Sequence, residues 1–215
     1  MTRPLFTPPN LYDSARWSGR RIGLLGGTFN PPHYGHVFLA TCALRWLKLD
    51  AIWWCVSPGH SLKPHDRHTF PDRLAQSQKF VHHPRIIVTD IEKRLGTTST
   101  AALADGLKRR YPRTDFIFIG GFDLAAQLRR WCRWRHLLNI MPLAIIARPP
   151  AQQLVTRQAV GRLNTLPHTH LNTPGCVPLT PGISWIRRTP LHDISSTQIR
   201  ARDRSRQRDC IDGAE

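Results

Sequence analysis

Short apolar runs recur along the chain, separated by stretches of mixed polarity. Arg21–Leu25 (RIGLL), Ala51–Ser57 (AIWWCVS), Arg85–Thr89 (RIIVT), Asp115–Gly120 (DFIFIG) and Pro142–Ala147 (PLAIIA) are rich in β-branched and aromatic residues. Their apolar positions are continuous rather than alternating, the pattern of parallel strands covered on both faces. Between them, Gly35–Leu47, Pro71–His82, Ser99–Arg110 and Leu124–Leu138 can carry helices. The third has Leu103 and Leu107 as an i, i+4 pair on one face, and the fourth is expected to break near Trp131. Strand and helix alternating at this period predict βαβ units and an α/β fold: a Rossmann-like, doubly wound parallel sheet with helices on both faces. Ligands of such a sheet bind at the carboxyl ends of the strands, near the switch in strand order.

The pattern weakens after the fifth run. The stretch 149–190 is rich in Pro, Gly, Thr and His, and within it only Gln152–Leu163 is helix-like. It reads as an irregular excursion, closed by a last short strand, ISWIRR, before DISSTQIR opens a small carboxyl-terminal helical segment. The expected organisation is a flexible leader over 1–20, one domain over 21–203, and a basic tail over 204–215.

Length and composition narrow the classes. A chain of 215 residues suits one sizeable α/β domain. No apolar run approaches the roughly 18 residues of a membrane span, and the first residues lack the apolar core of a signal peptide. Five cysteines, with no CxxC spacing, argue against a zinc or disulfide framework and for a reducing cytoplasm. Lys plus Arg outnumber Asp plus Glu by 31 to 14, a net charge of +17 that attracts polyanions or phosphorylated small molecules. The arginines are dispersed, and those of RARDRSRQRD scatter round a helix, so charge alone does not choose among partners.

The most informative stretch is LLGGTFNPPHYGH, Leu24 to His36. Gly26 and Gly27 after the first strand permit a turn with close backbone approach to a ligand. His33 and His36 lie at i, i+3 where a helix is expected to begin, and so share one face. Free N–H groups and partial positive charge make a helix start an anion site, to which two imidazoles can add hydrogen bonds. Structural histidines in a common β-α turn remain an alternative, and a zinc pair lacks a third ligand at convincing spacing.

GGTFNPPHYGH resembles the (H/T)xGH signature of the nucleotidyltransferase α/β-phosphodiesterase superfamily, in the form GG(T/S)F(D/N)PxHxGH of bacterial nicotinate-nucleotide adenylyltransferases. DISSTQIR (Asp193–Arg200) resembles that family's second signature, ISxTxIR. FIGGFDLAAQLRRWCRW resembles its Gly-x-Asp segment followed by a tryptophan, and AIIARPP its strand ending in Arg-Pro. The likeness runs in order from about Arg21 to Arg202.

The resemblance implies transfer of AMP from ATP to nicotinate mononucleotide, giving deamido-NAD and pyrophosphate in NAD biosynthesis. It implies ATP and nicotinate mononucleotide as partners, with magnesium carried in by ATP and no metal site made of protein side chains. Under it, Gly27, Thr28 and Phe29 give backbone contacts to the nucleotides. His33 and His36 bind the ATP phosphates, with His36 at the α-phosphate. Asp123 binds ribose hydroxyls, with Gly121 allowing close approach, although an Asp there can also cap the following helix. Ser195, Ser196, Thr197 and Arg200 face the β- and γ-phosphates; SSTQ also fits a capping box. On the acceptor side stand Lys63, with His65 and Arg67 as rivals for the mononucleotide phosphate, then Thr100, Trp131 and Arg148. Trp134 can equally be a core residue. A cytoplasmic enzyme is implied, with no specific nucleic-acid or membrane partner, and self-association is left open.

Two positions depart from the family pattern. Ser99 stands where a Tyr-Thr-Ala motif has its ring, and Phe122 is bulkier than the usual centre of Gly-x-Asp. Both are expected near the acceptor pocket. They keep two other acceptors in view, nicotinamide mononucleotide and phosphopantetheine, beside a more distant reading as a basic nucleic-acid-binding protein.

Overall fold

The structure of the chain, a computed structural model, describes residues 11–59, 68–97, 99–147, 166–175 and 178–187. Each apolar run read above is a strand: β1 (Arg21–Gly27), β2 (Ala51–Val56), β3 (Ile86–Thr89), β4 (Asp115–Gly121) and β5 (Leu143–Ile146). Two more follow, β6 (His168–Leu171) and β7 (Ile183–Ile186). The helices are α1 (Tyr34–Trp46), α2 (Phe70–Phe80), a single turn α3 (Ile91–Arg94), α4 (Thr100–Arg110), α5 (Phe122–Gln127) and α6 (Trp134–Ile140). The expected break near Trp131 is real. A 3-10 turn, Leu128–Arg130, ends at Trp131, and Arg133 has φ 53° just before α6.

Among the described residues the strands form one seven-stranded sheet in the order β3-β2-β1-β4-β5-β7-β6. Every pairing is parallel. The chain builds outward from β1 to β2 and β3, then crosses back to place β4 on the other side of β1. The switch in strand order therefore lies between β1 and β4, whose carboxyl ends are neighbours.

Alternation along the strands supplies both faces. On β2, Ala51, Trp53 and Cys55 join one core, while Ile52, Trp54 and Val56 join the other. Leu39, Ala40, Ala43 and Leu44 of α1 cover the second face. Residues of α4, α5 and α6, such as Leu107, Ala125 and Leu138, cover the first. Gly23, at the centre of β1, lets this packing close, because a β-carbon there would collide with Ile52, Ile119 and Leu49.

Two expectations change. Residues 11–20 are not a loose leader: Leu11 and Trp17 are core residues. The cause is the large ring of Trp53, against which Trp17 packs edge-on at a ring distance of 5.4 Å. The backbone of this strap is satisfied by its neighbours. The Trp17 indole and the Tyr111 hydroxyl donate to the Leu11 carbonyl at 3.0 and 3.1 Å, and the Thr114 hydroxyl to the Trp17 carbonyl at 2.9 Å. The Tyr12 hydroxyl donates to Asp90 at 2.8 Å; burial and that carboxylate push its pKa up to about 12. The other change is β6, a strand inside the stretch read as irregular. It pairs with β7, and its His168 and His170 rings stack on Trp185 at 5.9 and 6.5 Å. The Trp185 indole also donates to His168 Nδ1 at 2.9 Å. Stacking and ladder bonds together make a strand of a His/Thr segment with little β signal. Residues 1–10, the stretch Gln152–Leu163, the carboxyl-terminal helical segment and the tail over 204–215 lie outside the described residues.

Candidate active site

The turn after β1 folds its aromatic residue beneath itself. Phe29, at φ 47°, is buried and stacks on Trp54 with 4.3 Å between ring centroids and 27° between planes. A β-carbon on Gly27 would sit 3.2 Å from the Phe29 ring, closer than ordinary contact. A side chain at Gly27 would have to push the Phe29 ring back by a few tenths of an ångström, and glycine also lets the backbone approach a ligand closely.

His33 is the residue before the first turn of α1, with φ −150° and ψ 165°, and His36 is the third residue of the helix. The His33 backbone N–H donates to His36 Nδ1 at 3.3 Å, and the two imidazoles lie 3.7 Å apart at 32°. Phe29 and Trp54 meet the His36 ring edge-on at 4.9 and 5.7 Å. His33 is 3% exposed and His36 is half-buried. No acidic residue occupies the first turn of α1, and the partial positive charge of such a helix start favours an anion. With Nδ1 of His36 accepting, a neutral His36 ring carries its proton on Nε2.

A buried arginine that the sequence reading passed over braces this turn. Arg73, on α2, donates through Nη1 to the Thr28 and Ser57 carbonyls, both at 2.8 Å, and through Nη2 to the Pro58 carbonyl at 3.2 Å. The only sequence signal was its i, i+4 relation to Ser77, also buried on the inner face of α2. Nearby, burial pushes the Glu92 carboxyl up, and a hydrogen bond with the Ser57 side chain partly offsets this.

At the end of β4 the backbone is plainer. Gly121 is extended at the start of α5, and the helix begins at Phe122, so Asp123 lies within the first turn rather than capping it. Phe122 is 3% exposed, lies in the core and meets Trp185 edge-on at 6.0 Å. The reason is helix phase: the first helical residue after β4 faces the sheet. Ser99 also has a local role, since it precedes α4 and accepts the Ala102 N–H at 3.3 Å, leaving Thr100 as the first helical residue. Trp131 is half-buried and lies edge-on to Phe118 at 5.7 Å. Trp134 is buried in the core beneath the Arg135 guanidinium. Asp105 of α4 ties this segment down by accepting from His136 at 2.8 Å and Arg133 at 3.3 Å. The His136 contact above all holds the Asp105 carboxyl below its usual range.

Gly27, Thr28, Phe29, His33 and His36 thus share one turn at the end of β1, and Asp123 follows the adjacent strand. Thr100 and Trp131 follow β3 and β4. Lys63, His65, Arg67, Arg148, Ser195, Ser196, Thr197 and Arg200 lie outside the described residues. Among the described residues no group of three or more His, Cys, Asp or Glu is placed to hold a metal ion, and no helix is long and apolar enough to cross a membrane.

Comparison with known proteins fits this geometry. The model of the cytidylyltransferase-like family matches residues 24–202. A probable nicotinate-nucleotide adenylyltransferase of Cereibacter sphaeroides is 39% identical over 194 residues, 86% of this chain and 99% of that protein. The chain belongs to the cytidylyltransferase-like family, among its nicotinate-nucleotide adenylyltransferases. A second probable nicotinate-nucleotide adenylyltransferase, from Gluconobacter oxydans, is 40% identical over 182 residues, 84% of this chain and 93% of its own length. Among solved structures, Plasmodium falciparum nicotinic acid mononucleotide adenylyltransferase complexed with NaAD superposes with a TM-score of 0.64 at 21% identity, covering 85% of this chain and 83% of that one. That likeness is one of fold, and it covers the Rossmann-like sheet described above. As a member of this nucleotidyltransferase family the chain is an enzyme.

Proposed function

We propose that the chain moves the adenylyl group of ATP onto nicotinate mononucleotide in the cytoplasm. An oxygen of the acceptor phosphate attacks the α-phosphorus of ATP. The bond from that phosphorus to the bridging oxygen breaks, and pyrophosphate leaves with the electron pair, giving deamido-NAD. The acceptor phosphate is already an anion at neutral pH, so no general base is needed. What the protein must do is hold two anions in line and offset charge at the α-phosphate and the leaving group.

The observation that carries this reading is the pairing of His33 and His36 at a helix start with no acidic residue in its first turn, at the switch point of the sheet. His36 Nε2–H is a donor suited to an α-phosphate oxygen, and the amides from Gly27 to Phe29 suit nucleotide contacts. Asp123 is suited to ribose hydroxyls, while Thr100 and Trp131 would bound the nicotinate ring. Lys63 and Arg148 would complete the acceptor side, and Ser195, Ser196, Thr197 and Arg200 the β- and γ-phosphate side. The donors at the end of β1 are N–H groups, which suit phosphate oxygens; magnesium, when bound, enters chelated by the triphosphate and neutralises part of its charge.

The test is pyrophosphate release with ATP and a panel of acceptors: nicotinate mononucleotide, nicotinamide mononucleotide and phosphopantetheine. Preference for nicotinate mononucleotide is expected. A clear preference for phosphopantetheine overturns the acceptor, and no release with any of them overturns the reaction.

A further inference from the structure

The ladder between β1 and β2 ends where the two chains part. Its last steps are the pairing of Gly27 with Val56 and the bond from the Ser57 N–H to the Gly27 carbonyl at 2.9 Å. Beyond that point, among the described residues, the Thr28, Ser57 and Pro58 carbonyls accept from a side chain rather than from a neighbouring strand. All three accept from one side chain, Arg73, which is 1% exposed. Its helix is fixed at its start by a reciprocal cap. Asp72 N–H donates to the Thr69 hydroxyl oxygen at 3.4 Å, and the Thr69 N–H and hydroxyl donate to the Asp72 carboxylate at 3.1 and 2.6 Å. The guanidinium is thereby set at a definite height above the sheet, with the Phe70 ring 5.7 Å away.

A buried cation is costly to desolvate, and stability alone would be served as well by apolar packing. What a planar fork adds is geometry. It holds acceptors from two separate segments at a fixed spacing, which a lysine, with a single donating nitrogen, does not reproduce. One segment runs on from Thr28 into Phe29, His33 and His36. The other is the end of β2, at Ser57 and Pro58.

We propose that Arg73 is a positioning residue: it fixes the turn after β1 against the end of β2, and so fixes the His33 and His36 donors that would face the ATP phosphates. This rests on the adenylyl-transfer reading above. An in-line displacement between two anions is sensitive to such placement, since a displacement of about 1 Å can cost on the order of 10²-fold in rate.

The experiment compares Arg73→Lys, Arg73→Gln and a remote control, Ile117→Val in the core strand β4. Melting temperature, the single-turnover rate at saturating substrates, and affinity for a non-hydrolysable ATP analogue are measured well below the melting transition. The single-turnover rate should fall about tenfold in Arg73→Lys and about 10²-fold in Arg73→Gln. The analogue should bind several-fold more weakly in both. Ile117→Val should lower the melting temperature while leaving rate and affinity as in the wild type. Arg73 variants that melt earlier but keep wild-type rate and affinity overturn the proposal. So does failure of both to fold, which would make Arg73 a folding residue. If the wild type releases no pyrophosphate with any acceptor, the reaction assigned above is what fails. The proposal is then judged on analogue affinity alone, and unchanged affinity in Arg73→Lys sinks it.

Discussion

The turn after β1 and the turn after β4 stand side by side at one edge of the sheet, yet they use their aromatic residues in opposite ways. After β1, Phe29 folds under its own loop onto Trp54 and meets the edge of His36, so the ring is part of the site's floor. After β4, Phe122 turns away from the edge into the core against Trp185. The first turn specifies residue type at nearly every position. Gly27 packs its Cα close over the Phe29 ring, Phe29 takes φ 47°, and His36 accepts the His33 N–H. The second specifies little beyond a glycine, a core residue and a carboxylate. A departure from family pattern at Phe122 is therefore a packing change, whereas one at His36 would be a chemical change.

Phe122→Ala puts that contrast under the greatest strain. Removing a buried phenyl ring should cost about 3–5 kcal/mol of stability, read by chemical or thermal unfolding, while the ranking of acceptors stays as in the wild type. A changed ranking would mean that Phe122 does face substrate, and the contrast would collapse. His36→Ala should do the reverse. Turnover should drop by about 10²–10³, while the stability loss should stay near that of one lost helix cap, about 1 kcal/mol. Wild-type turnover in that variant would remove His36 from the chemistry. Trp131→Ala should act on one substrate only: about a tenfold rise in KM for the acceptor, as expected for loss of one aromatic stacking contact, with KM for ATP unchanged.

How much of this was legible in the sequence follows the same divide. The parallel sheet was readable because strands buried on both faces leave continuous apolar runs, and AIWWCV sends its two tryptophans to opposite cores. The first turn was readable because its backbone demands particular residues. The strap over 11–20 was hidden, since its burial depends on Trp53 and Tyr111, roughly forty and one hundred positions away in chain order. The strand β6 was hidden because its histidines are held by stacking on Trp185 and by pairing with β7, neither of which the local sequence announces. Arg73 was hidden for a related reason. An arginine in a polar helix reads as solvent-facing, and the carbonyls that hold it belong to two other segments.

Buried charge is the last difference between the two turns, and it yields the smallest effect. Arg73 and Glu92 are buried on the β1–β2 side, whereas the buried polar residues near β4 and β5 are the neutral Thr114 and Ser184. Burial raises the Glu92 carboxyl above its ordinary 4.5, and the Ser57 hydrogen bond only partly offsets this. A carboxyl raised on folding contributes its full stability below the unfolded value and loses it as pH rises through the folded one. Glu92→Gln removes that loss. The variant's melting temperature should therefore gain on the wild type near pH 8, by about 2–4 °C if the effect is ~1 kcal/mol, and the advantage should shrink by about pH 4, where both side chains are neutral. A variant that instead loses ground at the higher pH would show that the carboxylate is stabilised by a cation on this side of the sheet. The β1–β2 corner would then be an ion-paired frame rather than a desolvated one.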